Sequence, residues 1–170
     1  METNNKYSLS VFTENHLAIL QRVLIILNRR RVNIESLHSS ESEVSGVHRL
    51  TVIIRSTEET AIKLVKQIDK QVEVIRAFHH LEDDTVFQEI ALYKVPSNAV
   101  VNGINIGSLI RDNYARILAI ESDFMITEKT GHQEETHDFM KKLEPYGILE
   151  FARSGRVSLT KQLAQMSALN

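Results

Sequence analysis

The sequence predicts an α+β fold built from two tandem ferredoxin-like βαββαβ units, and three features predict it. Apolar periodicity runs strand, helix, strand, strand, helix, strand between Tyr7 and Phe78, the split βαβ order, and the same order then recurs between Phe87 and Ala152. The stretch between the two runs, His79 to Thr85 (H-H-L-E-D-D-T), is polar and acidic, as a linker would be. Finally, the first helix is apolar nearly all round, so it needs cover on two sides, from a sheet and from either a second helix or another subunit. The expected organisation is a first domain over residues 1–79, a linker over 80–86, a second domain over 87–160 and a tail over 161–170.

In chain order, Tyr7 to Thr13 alternates with Leu9 and Val11 on one side and is short enough for a strand. Asn15 stands where a helix N-cap is wanted, since its side-chain carbonyl accepts from an orphan amide one turn in. The helix from about His16 to Arg30 places Leu17, Leu20, Val23, Leu24 and Leu27 near helical spacing, with Ile19, Ile25 and Ile26 widening the stripe. Val32, Ile34 and Leu37 read as a strand running into a polar stretch, His38 to Ser45, before a turn at Gly46. Val47 to Arg55 is the clearest strand. Ser56-Thr57-Glu58-Glu59 has the form of a capping box, followed by Ala61, Leu64, Val65 and Ile68 on one helical face, and Val72 to Phe78 closes the unit as a strand.

The second run opens with a strand, Phe87 to Val95, stopped by Pro96, and a loop from Ser97 to Gly103. A short helix around Ile106, Leu109 and Ile110 ends near Tyr114, and Arg116 to Glu121 with Phe124 to Thr130 form a hairpin turning at Ser122-Asp123. Thr130-Gly131-His132-Gln133 is a second capping-box pattern, Thr136, Phe139, Met140 and Leu143 give its helix an apolar face, and Pro145 and Gly147 end it. Ile148 to Ala152 is the last full strand, with Val157 to Leu159 extending the pairing.

Composition narrows the function classes. With a net charge of −2 the chain lacks the basic excess that phosphate neutralisation requires, so nucleic acid is not expected as a partner. Zero cysteines exclude disulfides, thiolate catalysis and thiolate metal sites. The polar start carries no apolar signal core and no run is long enough to span a membrane, so the expected place is the cytoplasm. His132, Glu135 and His137 lack H-E-x-x-H spacing, and no metal is expected there. Ser154 lacks the G-x-S-x-G surroundings of a nucleophile, and no catalytic residue is expected.

The stretches Glu14-Asn15, Leu20, Arg22-Val23, Arg29-Arg30, Asn33-Ile34-Glu35-Ser36-Leu37, Arg49-Leu50-Thr51, Glu89 to Val95, Thr130-Gly131 and Ala152-Arg153-Ser154-Gly155 resemble the small regulatory subunit of acetolactate synthase (acetohydroxyacid synthase). The N-I-E-S-L run after a basic turn is the specific part. The resemblance implies an N-terminal ACT domain, an amino-acid sensor that pairs with a second copy, and a smaller α/β domain behind it. It also implies a non-catalytic subunit that activates a catalytic partner and makes it sensitive to valine or another branched-chain amino acid. Thiamine diphosphate, magnesium and FAD would then sit on that partner and none on this chain. The alternative is a free-standing ACT-type sensor without an enzyme partner.

A free amino acid needs donors, acceptors and an apolar wall. The helix start after Asn15 offers free amides and a positive dipole end for a carboxylate, and Asn15 and Asn33 each carry an amide able to donate or accept. By similarity to the family, the expected effector contacts are Asn15, the amides of Leu17, Ala18 and Ile19, and Asn33 with Ile34 from the other chain, so that the site exists only in the dimer. Asn15 as a plain helix cap and Asn33 as a residue bonding its own turn are the simpler readings. The sequence departs from the family at Ala18, where glycine is usual, and at Arg31, where it is frequent.

Overall fold

A computed structural model describes residues 4–14, 18–101 and 104–162. The chain divides into two compact units, the first comprising residues up to Phe87 together with those from Arg156 onward, the second Gln88–Gly155. The C-terminal strand thus belongs with the first unit, whereas the sequence placed it in the second.

The first unit contains β1 (Asn5–Glu14), α1 (Ala18–Arg29), β2 (Ile34–Glu41), β3 (Val47–Ser56), α2 (Glu58–Ile68) and β4 (Val74–Leu81). Its sheet is antiparallel in the order β2-β3-β1-β4. Tyr7, Leu9 and Val11 of β1 are buried with Leu50, Val52 and Ile54 of β3, and onto them pack Val23, Ile26 and Leu27 of α1 and Ala61, Leu64 and Ile68 of α2. Each Val, Leu or Ile side chain so withdrawn from water stabilises by about 1.5–3 kcal/mol. This is the core that the helical and alternating spacings foretold.

Local details differ from the sequence expectation for physical reasons. Strand β2 continues to Glu41 through residues read as polar loop, because Ser36, His38 and Ser40 face away from the core while the backbone stays paired with β3. The N-cap of α2 is Thr57, whose hydroxyl accepts from the Thr60 amide at 3.4 Å; Ser56 is still β3, buried, and donates to the Thr57 carbonyl. Val72, 91 % exposed, lies in a turn, and β4 starts two residues later. Residues 80–86, expected as a linker, are the end of β4, a single 3-10 turn (Glu82–Asp84) and the first residues of β5 (Thr85–Pro96).

The second unit holds most of β5, a two-residue hairpin of β6 (Val100–Val101) and β7 (Ile104–Asn105) within the expected loop, then α3 (Ile106–Asp112), β8 (Arg116–Ile120), β9 (Phe124–Gly131), α4 (Gln133–Leu143) and β10 (Glu150–Arg153). Its sheet order, β10-β5-β9-β8, repeats that of the first unit with the corresponding strands. Ala91, Tyr93 and Val95 of β5 meet Ile106 and Ile110 of α3 and Phe139 and Leu143 of α4. The cap of α4 is His132, not Thr130: the His132 amide donates to Glu135 Oε2 at 2.7 Å. Gly131 makes this possible, because a Cβ there would lie 2.8 Å from that carboxylate oxygen.

Strand β11 (Val157–Thr160) returns to the first unit, where Ser158 Oγ lies 3.2 Å from Ser8 Oγ and the Ser158 carbonyl accepts from Arg49 Nη2 at 2.7 Å. Arg156 pairs with Glu82 and stacks over Phe87, its guanidinium 3.6 Å from the ring centroid. Among the described residues no helix is long and apolar enough to cross a membrane.

Candidate effector site at the ends of the first helix

The expected contacts fall at the two ends of α1. At its start, Ala18 is partly exposed and Ile19 is 4 % exposed within the first core, so the Ile19 side chain is a core side chain and what remains for a ligand is its amide. Asn15 and Leu17 lie outside the described residues. At the far end, Asn33 is exposed and Ile34 is partly buried against the core. A helix of 12 residues is about 18 Å long. One chain therefore holds Ala18 and Asn33 at opposite ends of a rod, too far apart for both to touch one amino acid.

The turn joining α1 to β2 is built on backbone bonds. Arg31 N donates to Asn28 O at 2.9 Å and Val32 N to Leu27 O at 3.2 Å, the paired closure of a Schellman motif, with Arg31 at φ 54 where glycine is usual. The second unit repeats the device: Tyr114 N donates to Arg111 O and Ala115 N to Ile110 O, with Tyr114 at φ 55.

The specific run Asn33 to Leu37 has mostly structural employment. Glu35 Oε1 accepts from Arg55 Nε at 3.0 Å, and Glu35 Oε2 lies 3.4 Å from Lys6 Nζ. Partial burial works to raise the Glu35 carboxyl, but the Arg55 hydrogen bond and the Lys6 charge outweigh it and hold the group below the usual carboxylate value. Ser36 Oγ accepts from the Arg156 amide at 3.0 Å, and Leu37 packs against the core. Of the five residues, Asn33 alone is exposed without a role in the fold that its sequence position would explain.

One residue near this site gave no signal in the sequence. Thr13, the penultimate residue of β1, is completely buried, yet its Oγ1 has no hydrogen-bond partner among the described residues. Buried polar atoms are seldom left so, and this one sits two positions before Asn15. A threonine in an alternating strand is too ordinary to stand out.

The other motifs resolve as structure. Ser154 Oγ accepts from the Ile90 amide at 2.9 Å and donates to the Gly155 carbonyl, while Arg153 Nε lies 3.5 Å from Glu89. Arg30 Nε donates to Gln67, and Arg22 pairs with Glu73 at 2.7 Å. The run Ala152 to Gly155 thus ties β10 to β5, and the basic turn ties α1 to neighbouring segments.

Two family models match the chain, one in each unit. The family described as AHAS small subunit-like ACT domain matches residues 9–76, and the one described as small subunit of acetolactate synthase matches residues 88–162. The acetolactate synthase small subunit of Mycolicibacterium smegmatis is 32 % identical over 157 residues, covering 91 % of this chain and 91 % of that protein. That of Bacillus subtilis is 29 % identical over 157 residues, covering 92 % and 91 %. The crystal structure of the acetolactate synthase small subunit from Thermotoga maritima superimposes with a TM-score of 0.82 at 26 % identity, over 94 % of this chain and 99 % of that one. With its paired sheets, its N-I-E-S-L run and relatives matched along nearly their whole length, the chain belongs to the acetolactate synthase small-subunit family.

Proposed function

We propose that the chain is a non-catalytic regulatory subunit. It binds and activates a catalytic acetolactate synthase subunit and lets valine or another branched-chain amino acid inhibit it, in branched-chain amino acid biosynthesis. In this reading thiamine diphosphate, magnesium and FAD reside on the catalytic partner.

The observation that carries the proposal is the placement of Asn33 and the α1 start about 18 Å apart, beside an edge strand. Strand β2 ends the sheet and, among the described residues, pairs only with β3, leaving one row of its backbone groups outside the sheet's pairing. Because β1 and β2 run parallel, α1 begins at the end of the sheet opposite to the start of β2. A second copy laid antiparallel along β2 by a two-fold axis reverses that relation, bringing Asn33 of the partner subunit to the end where α1 begins. The first amides of a helix and its dipole suit the ligand carboxylate, and the Asn33 amide suits either charged group. Ligand contacts made across such an interface favour one arrangement of it, and any resulting coupling to the catalytic subunit is reciprocal.

The test is calorimetry of the purified chain with valine, leucine and isoleucine, together with turnover of an acetolactate synthase catalytic subunit with and without the chain. The expected result is higher turnover with the chain and loss of that gain on adding the amino acid that binds. Asn33→Ala should lower affinity by about 10- to 100-fold, the worth of a hydrogen bond to a charged group, while activation survives. Unchanged turnover overturns the partnership; heat from none of the three amino acids overturns the sensing.

A further inference from the structure

In the second unit β8 occupies the place that β2 holds in the first: it ends its sheet, pairing among the described residues only with β9. Its character is different. Strand β2 reads I-E-S-L-H-S-S-E, with polar groups along its exposed side. Strand β8 reads R-I-L-A-I and carries no charge, proline or polar group from Ile117 to Ile120. Ile117 is 42 % exposed, Leu118 51 % and Ile120 65 %, with a bulge between Ile117 and Ala119. The residue before the strand, Tyr114 at φ 55, is 93 % exposed. An edge with large exposed aliphatic side chains on it is a template for another strand.

The sequence of the edge indicates which strand. Arg116, which also pairs with Glu128 at 2.8 Å, and Glu121 bracket the apolar segment with opposite charges, and both are exposed. Because the bulge makes Leu118 and Ala119 count as one position, Arg116 shares a face with Glu121 and Ile117 with Ile120, and pairing antiparallel about a two-fold axis through the bulge sets Arg116 opposite Glu121 and Ile117 opposite Ile120. Unlike charges and β-branched pairs directly across are the favourable cross-strand combinations. A register shifted by one residue to either side sets Arg116 opposite an isoleucine or opposite the turn residue Ser122 instead.

We propose that β8 is an interface between copies of this chain, pairing antiparallel with β8 of a second copy in that register. The contact is short and self-complementary, and it does not depend on the effector reading of the first unit.

Since the chain contains no cysteine, single introduced thiols report the pairing. Full-length Ile117→Cys and Ile120→Cys chains are equilibrated in a thiol–disulfide buffer, each alone and mixed. Directly opposite residues have Cα atoms about 4.5–5.5 Å apart, within disulfide reach. Identical positions are offset along the strand by about 7 Å, which with the spacing between strands puts their Cα atoms about 8 Å apart, beyond it. The expected result is a covalent dimer in the mixture and its loss in each variant alone. Arg116→Cys mixed with Glu121→Cys repeats the test at the outer pair, whose identical positions lie farther apart still, should either isoleucine variant fail to fold. No covalent dimer in the mixtures, or as much in each variant alone, overturns the proposal, and neither outcome bears on amino acid binding in the first unit.

Discussion

Replacing Arg31 by glycine should stabilise the first unit. Arg31 closes α1 in a left-handed backbone conformation, φ 54, with both Schellman hydrogen bonds made. For a residue with a Cβ that conformation costs about 1–2 kcal/mol, and nothing in the Arg31 side chain's exposed position offsets it. Glycine removes that cost but loses about 0.5–1 kcal/mol more on ordering, so the net gain is about 0.5–1 kcal/mol. At Gly46 and Gly147, with φ 78 and 85, the chain already uses glycine for this geometry. Tyr114→Gly tests the same reasoning in the second unit, where the 93 % exposed ring has little packing to lose. Urea unfolding of both variants and the double variant is the assay. The midpoints should rise with unchanged slopes and near-additive gains. A fall in midpoint for Arg31→Gly would refute the strain argument.

Two further outcomes follow from buried polar groups. Tyr93 is completely buried, its hydroxyl donates to the Thr136 carbonyl, and burial pushes its pKa up to about 12. The unfolded tyrosine ionises near 10, so its contribution is complete below pH 10 and is lost as pH rises toward 12, by about 2–3 kcal/mol in all. Alkaline unfolding of the second unit should show this fall, and Tyr93→Phe should remove it; an identical pH profile in the variant would contradict the assignment. Thr13→Val deletes a buried hydroxyl without a partner while keeping its shape, and chemical denaturation should show stability unchanged or raised by about 1 kcal/mol. A loss above 1 kcal/mol would mean that the hydroxyl has a role in the folded chain alone.

Much of the fold was legible because burial imposes periodicity. Leu9 and Val11 alternate because one face of β1 meets helices, and Ala61, Leu64 and Ile68 recur because one face of α2 meets the sheet. The signal failed where pairing is held by the backbone rather than by side chains. Residues 38–41 are polar on the exposed face of β2 and read as loop, and residues 80–86 are acidic yet form strand and 3-10 turn. Caps were misplaced by one or two residues at Ser56 and Thr130, where two neighbouring polar residues compete and only the geometry selects Thr57 and His132. At the candidate site, Asn33 was legible as an exposed amide in a motif. That Ile19 serves the core, and that Thr13 is buried without a partner, depend on packing that no local pattern encodes.

The central claim is that each effector site is shared between two chains, and complementation tests it directly. Asn15→Ala and Asn33→Ala chains, each expected to lose amino acid binding, are unfolded together, refolded as a mixture and titrated with valine. In a mixed dimer with shared sites, one site carries both substitutions and the other carries neither. About a quarter of the sites in an equimolar mixture should therefore recover wild-type affinity, half the dimers being mixed with one intact site each. If the two variants stay as inert together as apart, each site lies within a single chain and the account is contradicted.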